Sequence, residues 1–295
     1  MRKISSAYFL RGTMIQEIAP KKFDNTYCKD AANSDDTVFV FRDGKVLIRY
    51  DMNSDAVFPK LSEFSGNVSA QYLFKIDDER YFRAQGDVIC PDGYEYESVR
   101  SLRHITPLYR NFAVMTAYQL DSWYRENTYC GRCAHKMIPG TKERSMVCPD
   151  CGNTVYPKIC PAVIIGCVHG DSIIVSRYRG RSYKNYALLA GFVEIGETFE
   201  ETVQREVYEE VGLKVKNIRY YKSQPWAIDS DFLMGFYCEP DGDFEIKRID
   251  EEELSEALWI SRDEMEYRED PVSLTSEMMN TFKKFGNAVL RGRKE

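Results

Sequence analysis

The chain has 295 residues, 43% of them hydrophobic, a composition that suits a globular protein with room for two ordinary domains. Its 46 acidic residues outnumber 40 basic ones, so the overall field disfavours nonspecific binding to nucleic-acid phosphates, and any anionic substrate must be held by local chemistry. No uncharged stretch approaches the ~18 apolar residues of a membrane span, and the short apolar patch within Met1 to Met14 is interrupted by Arg11, so the expectation is a cytoplasmic protein with no membrane partner.

In chain order, Thr37 to Arg42 and Lys45 to Tyr50 read as two strands joined by a tight turn at Asp43-Gly44, and Tyr72 to Ile76 with Arg80 to Arg83 repeats the pattern. These hairpins predict a β-rich first domain. From Thr106 to about Arg125, Ala113, Ala117, Leu120 and Tyr124 recur at helical spacing, which predicts an amphipathic helix closing that domain. Further on, Ala162 to Val168 and Ser172 to Ser176 flank Gly170-Asp171 as another hairpin, and a last helix is expected around Ser276 to Leu290.

Nine cysteines in a chain with no export signal argue for metal ligation and scattered core thiols over a disulfide framework. Cys130-Gly-Arg-Cys133 and Cys148-Pro-Asp-Cys151 are two C-x-x-C knuckles separated by fourteen residues, close to the spacing of a structural zinc site with four thiolate ligands. With sulfur in every position no site is open for water, so one Zn²⁺ would hold structure and perform no chemistry. Cys28, Cys90, Cys160, Cys167 and Cys238 read as small core residues. Three histidines, His104, His135 and His169, leave a histidine general base poorly supplied.

The stretch Gly191 to Leu213 carries the most chemistry. Thr198 followed by Glu201 is a capping-box start and Gly212 a natural stop, which predicts a helix from about Phe199 to Val211. Along it Glu206, Glu209 and Glu210 stand at i, i+3 and i+4, three carboxylates in one narrow strip that repel unless cations intervene. Phe199, Val203, Val207 and Val211 form the adjoining apolar strip, and Arg205 is placed to pair with Glu201 and Glu209, four residues away on either side. Hard oxygen ligands of this kind suit Mg²⁺ or Mn²⁺.

Gly191, Glu197, Arg205, Glu206, Val207, Glu209, Glu210, Gly212 and Leu213 fill every defined position of the pattern G-x5-E-x7-R-E-U-x-E-E-x-G-U, where U is aliphatic. The segment therefore resembles the Nudix hydrolases. Ser223-Gln224-Pro225-Trp226 and the preceding zinc ribbon are similar to the NADH pyrophosphatase subfamily, although Ala227-Ile228-Asp229-Ser230-Asp231 stands where that subfamily has P-F-P-x-S. The resemblance implies an α+β or α/β protein: a Nudix α/β/α sandwich (156–295), preceded by the β-rich domain (1–125) and the zinc ribbon (126–155). It implies hydrolysis of the diphosphate of NADH or NAD to nicotinamide mononucleotide and AMP, with removal of NAD caps from RNA 5′ ends in some members, and a homodimer. Glu206, Glu209 and Glu210 match the catalytic and metal-binding carboxylates. Glu253 falls where a downstream loop supplies a further ligand, so that about two or three Mg²⁺ or Mn²⁺ ions would surround the substrate. Tyr156, Phe192, Gln224, Trp226, Ser230 and Asp231 match substrate-binding positions, with Asp231 replacing a hydroxyl. The altered stretch keeps open a Nudix hydrolase of other dinucleotides or ADP-ribose-like compounds; a noncatalytic RNA-binding ribbon protein is the remaining alternative.

Overall fold

The computed structural model describes residues 14–180, 185–268 and 272–291, so the apolar patch before Arg11 lies outside the described residues. Contacts divide the chain into two compact units, one of Ile15–Ile159 with Ala227–Ser230, the other of Met1–Met14, Cys160–Trp226 and Asp231–Glu295. No described helix is long and apolar enough to cross a membrane.

In the first unit Ser69–Ile76 and Glu79–Gln85 form the second expected hairpin, and Thr37–Phe39 adds to it in parallel at Tyr81 to Arg83. The first hairpin keeps its turn, where Asp43 and Gly44 both take the positive φ of a primed turn, but its leading strand is interrupted at Val40. Phe41–Arg42 then pairs with Lys45–Tyr50 in a separate sheet. Burial explains the break. Val38, Phe39 and Val40 are all buried, with Phe39 in one apolar cluster and Val38 and Val40 in another, so this segment has no solvent face and serves two sheets.

The helix Leu108–Glu126 covers the first of these clusters through Ala113, Ala117, Leu120 and Tyr124, the residues whose spacing announced it. Cys130, Met137, Met146 and Cys148 belong to the same cluster, so the ribbon shares the core of the first unit. Its short strands Ile138–Pro139, Met146–Val147 and Thr154–Val155 hold the two knuckles together. The four Sγ atoms lie within 4.8 Å of one another, with separations of 3.4 to 3.7 Å for three of the pairs. Tetrahedral ligation at ~2.3 Å requires sulfurs about 3.8 Å apart, so the cluster fits one zinc ion. The Arg132 N–H donates to Cys130 Sγ and favours its thiolate, the form a zinc site needs.

The second unit is built on the strand Cys160–His169. It runs parallel to Asp231–Pro240 and antiparallel to Leu189–Phe192, while Val215–Trp226 lies beyond Asp231–Pro240. The expected hairpin with Ser172–Tyr178 survives only at Val168 and His169; Ser172–Tyr178 pairs mainly with Leu254–Ser261. The cause is again continuous burial from Ala162 to Val168, the mark of a strand covered on both faces. Val163, Ile165 and Cys167 face the helix Phe199–Val211, packing with Val203, Val207 and Val211. Ile164 and Val168 face the helix Leu274–Phe285, packing with Leu274, Met278 and Phe282. Alternation along one strand thus produces the α/β/α sandwich. The last helix stops earlier than its periodicity predicts, because Gly286 takes φ +55° and the chain continues as a tighter 3-10 turn over Gly286–Arg291.

Gln224 is fully buried and ties this last helix to the sheet: its Nε2 donates to Val272 O at 2.8 Å, and Leu274 N donates to its Oε1 at 2.6 Å. Gln224→Ala strands a buried donor and a buried acceptor together, and should lower stability by about 2–3 kcal/mol in chemical denaturation. For the ribbon, Cys148→Ser or chelation should release zinc and lower the melting temperature, with metal content followed by elemental analysis. Purified protein free of zinc that melts as the wild type does would contradict this.

Candidate functional site

The helix Phe199–Val211 begins and ends where its caps dictate. Thr198 accepts from Glu201 N, Glu201 reaches back to Thr198 N at 2.8 Å, and Gly212 closes the helix at φ +73°. Because the capping box engages Glu201, the expected Arg205–Glu201 pair does not form. Arg205 turns toward the preceding loop instead and binds Glu197 through two bonds, Nε to Oε1 at 2.6 Å and Nη2 to Oε2 at 2.9 Å. Its Nη1 donates to Glu206 at 2.7 Å and Glu209 at 2.9 Å, and Nη2 also reaches Phe192 O at 2.9 Å. The guanidinium holds Glu197 down to about 2.

The three strip carboxylates are unequal. Glu209 is exposed, whereas Glu206 and Glu210 are buried where the helix meets Leu189–Phe192. Gly191 sets that meeting: a Cβ there would stand 1.9 Å from Cδ of Glu206 and would force the carboxylate out of its place. Burial raises the pKa of Glu206, opposed by Arg205. For Glu210, burial first and then the Glu206 charge push it up to about 8. Beyond a weak approach of the Ala190 N–H, neither Glu210 oxygen has a hydrogen-bond partner. Two orphaned buried oxygens beside a second buried carboxylate are the donor set a hard divalent cation requires. Among the described residues the glutamate oxygens are not gathered as closely as the four sulfurs, since Arg205 stands between Glu206 and Glu209.

A loop brings more acid to the same end of the helix. Asp250 N donates to Glu210 O at 3.0 Å, and the charges of Asp250 and of exposed Glu253 both act on Glu210. Asp250 was not singled out from the sequence; its local signal is the turn it caps, accepting from Glu252 N at 2.9 Å.

The remaining expected site residues are divided between the two units. Phe192 is exposed, one residue beyond Gly191, with its carbonyl held by Arg205. Trp226 and Asp231 are register partners at the ends of adjoining strands, both partly buried. Ser230 takes φ +64° in the first unit, where Ala227 is buried and Asp229 pairs with Arg100. Tyr156, also in the first unit, is exposed and donates to Glu143 at 2.8 Å. Gln224 is the correction: both ends of its amide are taken up inside the core, so the side chain offers nothing to a substrate.

Comparison with known proteins agrees with this arrangement. Residues 160–278 match the NUDIX domain and residues 125–156 the NADH pyrophosphatase zinc ribbon domain. The NAD-capped RNA hydrolases NudC of Escherichia coli O9:H4 and of Escherichia fergusonii are each 43% identical over 148 residues, covering 50% of this chain. The match spans 56% of those relatives' own length. A solved NUDIX hydrolase from Nitrosomonas europaea is 20% identical, with a TM-score of 0.47 over 56% of this chain and 94% of that one. Residues 125–156 thus match a zinc ribbon of the NADH pyrophosphatase kind that leads directly into a segment, residues 160–278, matching the NUDIX domain.

Proposed function

We propose that this protein is a diphosphatase dependent on Mg²⁺ or Mn²⁺, which hydrolyses NADH or NAD to the nicotinamide mononucleotide and AMP and removes NAD caps from RNA 5′ ends. The observation that carries the reading is Glu210, whose two buried oxygens are met by no cation and by no donor stronger than the Ala190 N–H, and lie beside the second buried carboxylate, Glu206. In this reading Glu206 and Glu210, with Glu209 and Glu253 at the rim, hold the divalent ions. Ions so held lower the pKa of the attacking water and neutralise the diphosphate. Water's oxygen forms a bond to one phosphorus, the bridging P–O bond breaks, and each product leaves with a phosphate.

Arg205 fixes Glu206 and Glu209 and is spent on them, so it stands behind the carboxylates and does not reach for substrate. Phe192, exposed and rigidly placed beside Gly191, offers a stacking face for a base or nicotinamide ring. Tyr156 would serve the same end across a homodimer. We assign 1–125, 126–155 and 156–295 as the three working parts, in a compartment reducing enough to keep the ribbon thiols free for zinc. A second reading, hydrolysis of other dinucleotides or ADP-ribose-like compounds, draws on Ala227 to Asp229: Ala227 is buried and Asp229 is bound to Arg100, so neither is free for the role the usual motif would give it.

Product analysis by mass for NADH, NAD, ADP-ribose and an NAD-capped oligonucleotide, run in parallel with Mn²⁺, separates these readings; absence of AMP from NADH and NAD alike would overturn the first. Glu210→Gln should cut turnover by about 10²- to 10⁴-fold and leave the fold intact. The same variant isolates a pH effect. A carboxyl raised from 4.5 to about 8 contributes stability that is full below pH ~4.5 and lost as pH climbs through ~8. The metal-free wild type should therefore melt progressively lower between pH 5 and 9, Glu210→Gln should flatten the trend, and Mn²⁺ should offset it by binding the ionised form.

A further inference from the structure

The acidic loop beyond Asp231–Pro240 has no regular structure over residues 241–250, yet it delivers Asp250 and Glu253 to the end of the acidic helix. Something must hold it there. Ile246 and Ile249 pack against the cluster that contains Val207, Val211 and Leu213, which seats the loop without fixing its path. Between these two anchors Arg248 turns outward. Its Nη2 donates to Tyr208 O at 2.8 Å, and its guanidinium lies 4.8 Å from the centre of the Tyr208 ring. Tyr208 O is among the last carbonyls of the helix, where a cation is favoured by the helix dipole. Two residues later Asp250 N donates to Glu210 O, another carbonyl of the last turn.

Gly212 completes the fit: a Cβ there would stand 3.1 Å from Cγ of Arg248 and 3.4 Å from Cβ of Lys247, so the helix ends under the loop with no side chain in between. At the loop's other end Trp259 Nε1 donates to Phe244 O at 2.8 Å, and His169 stacks on the Phe244 ring at 4.1 Å.

The structure assigns to Arg248 the role of a positioning residue: by clamping the loop onto Tyr208 at the helix C-terminus, it holds Asp250 and Glu253 against Glu210 and so sets the strength of divalent-cation binding. This rests on the proposed reading of the carboxylates as a metal site. Arg248 touches neither Glu210 nor the strip glutamates in any bond described, so its effect on the ion is wholly indirect. It is also exposed, which leaves the fold independent of it and limits the size of the effect.

The test uses the full, zinc-loaded chain. Mn²⁺ is titrated calorimetrically into wild type, Arg248→Ala, Arg248→Lys and Glu210→Gln, and hydrogen exchange of residues 243–253 is followed without Mn²⁺. Losing one partner behind a metal ligand commonly costs 10–100-fold in affinity, and exposure reduces the expectation here to about fivefold weaker binding for Arg248→Ala. Arg248→Lys, which keeps the charge but not the planar fork, should fall between Arg248→Ala and wild type. Exchange across 243–253 should quicken in Arg248→Ala and not in Glu210→Gln. Mn²⁺ affinity in Arg248→Ala within twofold of wild type, or unchanged exchange, overturns the clamp. Glu210→Gln that binds Mn²⁺ as wild type does overturns the metal reading itself, whatever Arg248 shows.

Discussion

Five hydrogen bonds from one guanidinium keep the acidic end of the second unit together. Arg205 reaches Glu197 twice, Glu206, Glu209 and the carbonyl of Phe192, and thereby ties the loop before the helix, the helix itself and the adjoining strand at a single point. Three carboxylates around one cation leave a negative excess, and Glu210, which Arg205 does not touch, adds a buried carboxyl with no cation of its own. Burial then makes the excess costly in water's absence, which is the condition under which a divalent ion is bound most strongly. Within the helix, the buried side-chain atoms left without a partner are the two oxygens of Glu210.

Such a charge distribution needs a scaffold that cannot relax around it. The sandwich supplies one through a strand with two apolar faces: Val163, Ile165 and Cys167 lock the acidic helix through Val203, Val207 and Val211, while Ile164 and Val168 anchor the other helix. Gly191 lets strand and helix approach until Glu206 lies where a methyl group would be. Gln224 acts on the opposite layer, joining sheet and last helix through buried hydrogen bonds. A residue that looks chemical in sequence is here part of the frame.

How much of this could be read beforehand follows the range of the interactions. The bounds Phe199 and Val211 were legible because capping is local: Thr198, Glu201 and Gly212 act within four residues. The zinc cluster was legible because C-x-x-C spacing is itself the geometry. Of the two glutamates expected for Arg205, Glu209 is bound and Glu201 is not, because helical spacing alone cannot know that the capping box has claimed Glu201 and that a loop returns Glu197. The break at Val40 and the partners of Cys160–His169 were missed for a kindred reason: a hairpin motif describes one neighbour, whereas these strands serve two sets of neighbours. Asp250 was invisible because its relation to Glu210 runs through a backbone bond across forty residues.

Reaction and substrate preference are also separable in where they reside. The groups that would open a diphosphate are fixed by short contacts within one helix, one strand end and one loop, so their sequence tolerates little change. The stretch that departs from the subfamily motif is fixed otherwise. Ala227 is buried and Asp229 is bound to Arg100 in the first unit, while Trp226 and Asp231 close the strand pair of the second. Replacing prolines there alters how the turn is held without disturbing a single carboxylate of the acidic strip. An added charge at Asp231 lies outside the Arg205 network, so its cost falls on whatever ligand approaches it and not on the ions. Under the proposed function, substitution at 227–231 would shift preference among dinucleotide substrates and leave the hydrolytic step to the Glu206–Glu210 pair.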